Sequence, residues 1–264
     1  MLSYPSGLQV STRALTLLTD ALRAHRVQLH TQWRALPCGR QALLVLARLR
    51  KNEAYPDLAA GFAIGVATVC RYVHEALDLL SVMAPTLADA VQTAARKAYV
   101  VLDGTVVCID RVFVASRRDG PYYSGKAHAH GVNVQVLADP AGRLIWASPA
   151  LPGAVHDVRA ARAHHLPQAL AQAGVTTFAD KGYQGAGPGI SVPCRSRRTD
   201  LDTGRYLPLS RNQRCVNAAH ARLRAPGERA SAQLKAWRIL RQLHASPSDA
   251  THVVNAVQVL ILTS

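Results

Sequence analysis

The stretch Lys97-Ala98-Tyr99-Val100-Val101-Leu102-Asp103-Gly104-Thr105-Val106-Val107-Cys108-Ile109-Asp110-Arg111-Val112-Phe113-Val114 is where the character of the chain changes. Upstream of it, apolar residues recur at helical spacing with few β-branched runs, and Pro37, Pro56 and Pro85 break the pattern. From Lys97 on, strand-like runs take over: Tyr99 to Leu102, Val106 to Val114 and Val132 to Ala138, separated by Gly-containing turns. Arg143 to Ala147 continues the pattern after the turn at Pro140-Ala141-Gly142. Further on, the sequence predicts a helix over 157–173, a short strand running into Asp180, a Gly- and Pro-rich loop, and helices from Asn212 onward. Three antiparallel strands, a helix, a further strand and late helices make an α/β sheet with helices packed on it. An all-α segment precedes it, and the boundary near residue 95 divides the chain into 1–95 and 96–264.

With 264 residues, 49% of them apolar, the chain can bury a sizeable core, which excludes disorder throughout. The formal net charge of +15 favours a polyanionic partner, and nucleic acid before membrane, because no basic amphipathic anchor stands out. The excess is concentrated: Lys181 to Ala245 holds thirteen Lys and Arg against Asp200, Asp202 and Glu228. Five widely spaced cysteines without a Cys-x-x-Cys pair encode neither a disulfide framework nor a zinc knuckle, and point to a reducing compartment. Arg13, Asp20, Arg23 and Arg26 interrupt any signal-peptide core, and the apolar tail from Val253 to Leu262 is broken by Asn255 and Gln258, well short of the roughly 20 residues of a membrane span. A soluble cytoplasmic protein is expected.

Two aspartates end apolar runs, Asp103 after Tyr99 to Leu102 and Asp180 after Val175 to Ala179, and Glu228 opens a later helical stretch. Singly, Asp103-Gly104 and Asp180-Lys181-Gly182 are turn signals and Glu228 is an ordinary first-turn acid. Jointly, they are the convergent oxygen ligands that a pair of hard divalent cations needs, and two such ions about 4 Å apart clamp the attacking and leaving oxygens of a phosphodiester. The reading is metal-dependent cleavage and joining of DNA. Arg224 and Lys235 flank Glu228 by four and seven residues. On a continuous helix all three lie within about 40° of one another, where the cations can hold a phosphate strand, although Pro226-Gly227 should kink or restart that helix.

Asp157, in Val155-His156-Asp157-Val158-Arg159, stands where a helix should begin and reads as its N-cap rather than as a fourth metal ligand. Asp110 lies along the second strand run without a defined face. Lys126, His128 and His130 form a compact polar group in which no further cysteine or histidine completes a zinc site, so Lys126 reads as a phosphate contact. His164-His165 reads as the surface end of a helix. Earlier in the chain, Asp57 to Tyr72 has the spacing of a helix-turn-helix: Leu58, Ala59, Phe62, Ile64, Val69 and Tyr72 form the seam, and Thr68, Arg71 and His74 face the major groove.

These residues resemble the DDE transposases of bacterial insertion sequences, in the branch related to Harbinger-type transposases. The likeness runs over most of residues 40 to 260. It is carried by Val101-Leu-Asp-Gly-Thr105, Tyr122-Tyr-Ser-Gly-Lys126, Gly131-Val-Asn-Val-Gln135, Gly153-Ala-Val-His-Asp157, Ala179-Asp-Lys-Gly-Tyr183, and Arg224 with Glu228 and Lys235. The resemblance implies that Asp103, Asp180 and Glu228 are the metal-binding acids and that Arg224, Glu228 and Lys235 fill the Arg-x3-Glu-x6-Lys signature. The tyrosine that often precedes this signature is replaced by Ala221, with His220 beside it. It further implies an RNase H-like catalytic fold, Mg2+ or Mn2+ as cofactor with two ions, terminal inverted repeats of the element as double-stranded DNA substrate, and a dimer or larger assembly. Thr68, Arg71, Lys126, Lys181, Arg224 and Lys235 are the expected DNA contacts. A catalytically silent DNA-binding protein and a nuclease without strand transfer remain the alternatives.

Overall fold

A computed structural model describes residues 7–31, 34–109, 120–195, 198–200, 202–243 and 247–264. Five helices come first: α1 (Thr12–Gln28), α2 (Cys38–Lys51), α3 (Tyr55–Phe62), α4 (Val66–Val82) and α5 (Leu87–Ala95). The three prolines that break the sequence pattern all mark helix starts: Pro37 is the N-cap of α2, Pro56 lies in the first turn of α3, and Pro85 precedes Thr86, which caps α5 through a reciprocal bond with Asp89. Proline suits these positions because the first helical N–H groups have no intrahelical partner.

The helix-turn-helix seam is buried as its spacing requires, with Leu58, Ala59, Phe62, Val69 and Tyr72 inside and Ile64 partly so. Ala63 makes the turn between α3 and α4 at φ 55°, ψ 47°. A left-handed alanine costs about 1–2 kcal/mol, so Ala63→Gly is expected to stabilise the fold by about 1 kcal/mol, read as a raised midpoint in urea unfolding. An unchanged or lowered midpoint would show that the turn is not strained.

The sheet is built on β1 (Val100–Ile109), followed by β2 (Tyr123–Ser124), β3 (Ala129–Ala138), β4 (Leu144–Ala147) and β5 (Leu151–Pro152). Then come α6 (Asp157–Ala163), α7 (Leu166–Gln172), β6 (Thr177–Ala179), β7 (Ile190–Ser191), and a small hairpin of β8 (Arg198–Thr199) and β9 (Tyr206–Leu207). The chain ends in α8 (Arg211–Arg224), α9 (Gly227–Lys235), β10 (Gln242–Leu243) and α10 (Pro247–Leu262). β3 runs antiparallel to β1 and β4, whereas β6 runs parallel to β1 and β10 pairs parallel with its last two residues. The result is a mixed sheet flanked by helices.

Three expectations are corrected. Tyr99 to Leu102 and Val106 onward are not separate strands: β1 runs unbroken through Asp103-Gly104, which pair with Val136 and Gln135 of β3. Pairing and burial on both sides override a two-residue turn preference. The helix foreseen over 157–173 is two helices, because His165 adopts φ 56° and Pro167 opens α7. The Gly- and Pro-rich loop carries the β8–β9 hairpin. The expectation for Asp110, and the end of the run to Val114, lie outside the described residues.

Two apolar cores hold the elements. Val100, Leu102, Leu137 and Trp146 pack with α6 and α7, while Val101, Val107, Val134 and Val136 pack with α9, α10 and the N-terminal helices. α10 lies against both α4 and β4, so one continuous core joins the helical segment to one face of the sheet. No helix among the described residues is long and apolar enough to cross a membrane. The five cysteines are free thiols.

Candidate active site

Asp103 and Asp180 are brought together by strand register. Leu102 of β1 lies beside Ala179 of β6 in parallel pairing, so the next residue of each chain is an aspartate. In parallel strands, residues in register point to the same side. Burial pushes the Asp103 carboxyl above the ordinary carboxylate range; Lys126 opposes that shift, Asp180 adds to it, and Arg224 and the Gly104 N–H oppose it. One Asp180 oxygen is committed to the turn it caps, accepting from Gly182 N at 2.7 Å. Asp180 is thus both turn cap and member of the cluster.

Glu228 is the second residue of α9, and it is exposed. Its helix is seated on the strand that carries Asp103: a Cβ on Gly227 would lie 2.5 Å from Val101 Cγ1. Because Val101 and Asp103 are two apart in a strand, they share that face. Among the described residues, however, no three His, Cys, Asp or Glu side chains converge tightly enough to form a ready metal cage. Two carboxylates are adjacent and the third stands on the neighbouring helix.

The proline in the signature region divides the helix as its chemistry requires. α8 ends at Arg224 and α9 begins at Gly227, while Ala225 and Pro226 keep right-handed helical dihedrals. Arg224 acts electrostatically on Asp103. Lys235 is the last residue of α9, roughly 10 Å along the axis from Glu228, and its carbonyl accepts from Arg241 Nε at 2.8 Å. α8 itself carries Arg211, Arg214, Arg222 and Arg224 and no acid, and among its described residues only His220 is buried. That histidine packs edge-on against Phe178 and bonds to the Ser191 carbonyl, anchoring an otherwise exposed cationic helix to the sheet edge; Ala221 is exposed.

Among the expected DNA contacts, Lys181 is exposed in the single turn after Asp180. Thr68 is half-buried and Arg71 exposed on α4, with Arg71 Nη2 donating to Thr68 Oγ1 at 3.2 Å. Lys126 is placed differently from a free phosphate contact: its ammonium donates to Asp157 Oδ2 at 2.8 Å and to the Gly104 carbonyl at 3.2 Å. Burial opposes the charge on Lys126, but the bond to Asp157 and the fields of Asp157, Asp103 and Asp180 raise its pKa overall.

Asp157 corrects another expectation. His156 is the N-cap of α6, without a side-chain capping bond, and Asp157 is the first helical residue. Rather than capping the helix, its carboxylate is buried against Gly104, next to Asp103 in the chain. Asn133, Gln135 and Tyr183 join it in a buried polar cluster that motif reading alone left without roles. A signal was present: Asn133 and Gln135 are polar at alternate positions of the run Gly131 to Ala138, which is otherwise apolar on both faces.

The model of the DDE superfamily endonucleases matches residues 102–261, and that of the helix-turn-helix of DDE superfamily endonucleases matches residues 34–86. A Streptomyces albus G protein that carries the name of a transposase for insertion sequence element IS112 is 27% identical over 253 residues, covering 94% of this chain and 89% of its own.

Proposed function

The chain belongs to the DDE superfamily endonucleases, and from that premise we propose that it is a transposase that cuts the ends of its own insertion element and joins them to target DNA. The observation that carries this reading is the placement of Asp103, inside β1, and Asp180, just past β6, each one residue beyond the parallel pair Leu102–Ala179, with the helix that bears Glu228 seated on β1. Residues 1–95 read the DNA and residues 96–264, with an RNase H-like organisation, perform the chemistry.

Members of this superfamily use divalent metals, and the donor set here suits a hard one. It offers carboxylate oxygens without cysteine or histidine, in an open arrangement rather than a closed cage. Magnesium is commonly held that way, by one or two carboxylates with substrate phosphate oxygens completing its shell. Asp103, Asp180 and Glu228 hold two Mg2+ or Mn2+ ions in this proposal. Ions held by these three residues would supply charge compensation at the reacting phosphate and acidify the attacking hydroxyl. The chain's own side chains do the rest. The α8 arginines and Lys181 hold phosphates, Thr68 and Arg71 of α4 place the duplex, and the protein forms no covalent link to DNA. Two element ends require two copies of the chain, acting at the nucleoid.

The test is cleavage of a labelled duplex carrying the element's ends. Cutting that requires both magnesium and the Asp180 carboxylate, and is lost in Asp180→Ala, is the expected result. Binding without cutting would instead make the chain a silent DNA-binding relative. Salt dependence offers a separate check. If the four α8 arginines each neutralise a phosphate, affinity falls by roughly 10²-fold between about 50 and 200 mM salt. Fluorescence anisotropy with Arg211→Ala, Arg214→Ala and Arg222→Ala combined should show a shallower slope, and an unchanged slope would remove α8 from the interface.

A further inference from the structure

A chain of polar side chains runs through the protein behind the carboxylate pair. The Tyr183 hydroxyl donates to Gln135 Oε1 at 2.7 Å, Gln135 Nε2 donates to Asn133 Oδ1 at 2.8 Å, and Asn133 Nδ2 donates to Asp157 Oδ1 at 2.8 Å. Lys126 Nζ closes the run on Asp157 Oδ2 at 2.8 Å and reaches the Gly104 carbonyl at 3.2 Å. An ionised carboxylate only accepts, so Asp157 fixes the direction of every bond behind it: each amide turns its NH2 toward Asp157 and its oxygen toward Tyr183. Tyr183, Gln135 and Asn133 are almost wholly buried, and a satisfied buried network of this kind holds its members in one arrangement.

The network sits on the opposite face of β1 from Asp103. Gly104 pairs with Gln135 across the sheet, and its neighbour Asp103 points the other way. Lys126 links the two sides: its ammonium bonds to Asp157 Oδ2 and to the carbonyl of Gly104, the residue after Asp103, and a Cβ on Gly182 would lie 2.9 Å from Asp180 Oδ1 and 3.7 Å from Asp157 Oδ2. Both Asp157 oxygens already have donors, which leaves that carboxylate poorly placed to take a divalent ion.

We propose, resting on the metal-dependent reading above, that Asp157 is a positioning residue and not a metal ligand, and that it fixes the Lys126 ammonium as a built-in counter-cation of Asp103 and Asp180. The consequences for cation binding have opposite signs. Removing the Asp157 charge releases the ammonium toward Asp103 and Asp180, where it competes with a divalent ion. Removing the ammonium deepens the negative potential at the same pair.

Mn2+ binding to the full chain, followed by electron paramagnetic resonance of the free ion, reads this directly. Asp157→Asn is expected to weaken Mn2+ binding about tenfold, Lys126→Met to tighten it by a similar factor, and the double variant to return close to wild type. Asp157→Asn keeps the oxygen that accepts from Asn133, and Lys126→Met alters a side chain that is 56% exposed, so a folding defect in the first leaves the second informative. A double variant as weak as Asp157→Asn would make Asp157 a ligand and overturn the proposal. So would wild-type Mn2+ affinity in every variant, or a Lys126→Met variant that loses DNA affinity with Mn2+ binding unchanged. Asp103→Asn is the control on the underlying reading. Wild-type binding that survives this change, or no binding at all, overturns both, whereas a failed cycle with the control intact overturns only the role of Asp157 and Lys126.

Discussion

Asp103→Asn is expected to reduce strand cleavage by at least about 10³-fold, or ~4 kcal/mol of transition-state stabilisation, while raising the melting temperature of the metal-free protein. The two effects share one cause. Burial, with Asp180 adding to it, lifts the Asp103 carboxyl above its ordinary range, despite the opposing charges of Lys126 and Arg224. A carboxyl raised in the folded state contributes stability below its unfolded value of about 4, and loses that contribution as pH rises through the folded value. At neutral pH the ionised side chain is therefore a net cost to the empty site, and the isosteric amide removes it. Sites that must gather like charges for a ligand characteristically trade stability in this way. Calorimetry from pH 4 to pH 8 checks the sign: the variant's advantage should grow toward pH 8, and Mg2+ should stabilise wild type alone. A variant less stable than wild type at pH 8, or one that still cuts at a tenth of the wild-type rate, would remove Asp103 from the proposed centre.

Asp103 and Asp180 stand out in the sequence because each follows an apolar run, and the parallel pairing of β1 with β6 places each one residue beyond the paired Leu102 and Ala179. The seam of the helix-turn-helix was legible for a similar reason, since its burial follows a periodicity that single residues carry. Asp157 was misread because the local signal and the tertiary one compete. An aspartate before a helix favours capping, but a buried amide at Asn133 and an ammonium at Lys126 offered its oxygens better partners. Those partners lie 24 and 31 residues away in the chain, beyond the reach of any local pattern. Glu228 is the converse case. Motif spacing alone singles it out; the fold seats its helix over β1, but three carboxylates repel one another unless a cation is shared among them.

Gly104→Ala is expected to destabilise the protein by about 3–5 kcal/mol. A turn glycine would tolerate alanine according to its backbone angles, but Gly104 is in the middle of β1 and its hydrogens face a charged group. A Cβ there would lie 2.1 Å from Asp157 Oδ1 and 2.5 Å from Cγ. The carboxylate cannot simply swing aside, because Asn133 holds one oxygen and Lys126 the other. Moving it strands a buried charge, and a fifth or more of the stability of an ordinary domain goes with it. Lys126, being half-exposed, regains water and softens the loss on its side. Gly39→Ala is the matched control: it sits in α2 with open space around it, so it should gain up to about 1 kcal/mol from helix propensity. Adding Asp157→Ala to Gly104→Ala should recover part of the loss, because the two changes share one clash and cannot be additive. Urea midpoints for these three variants and for Asp157→Ala alone decide the matter. If Gly104→Ala unfolds within experimental error of wild type, the close approach of Asp157 to β1 is wrong, and with it the reason that glycine follows the aspartate of this strand.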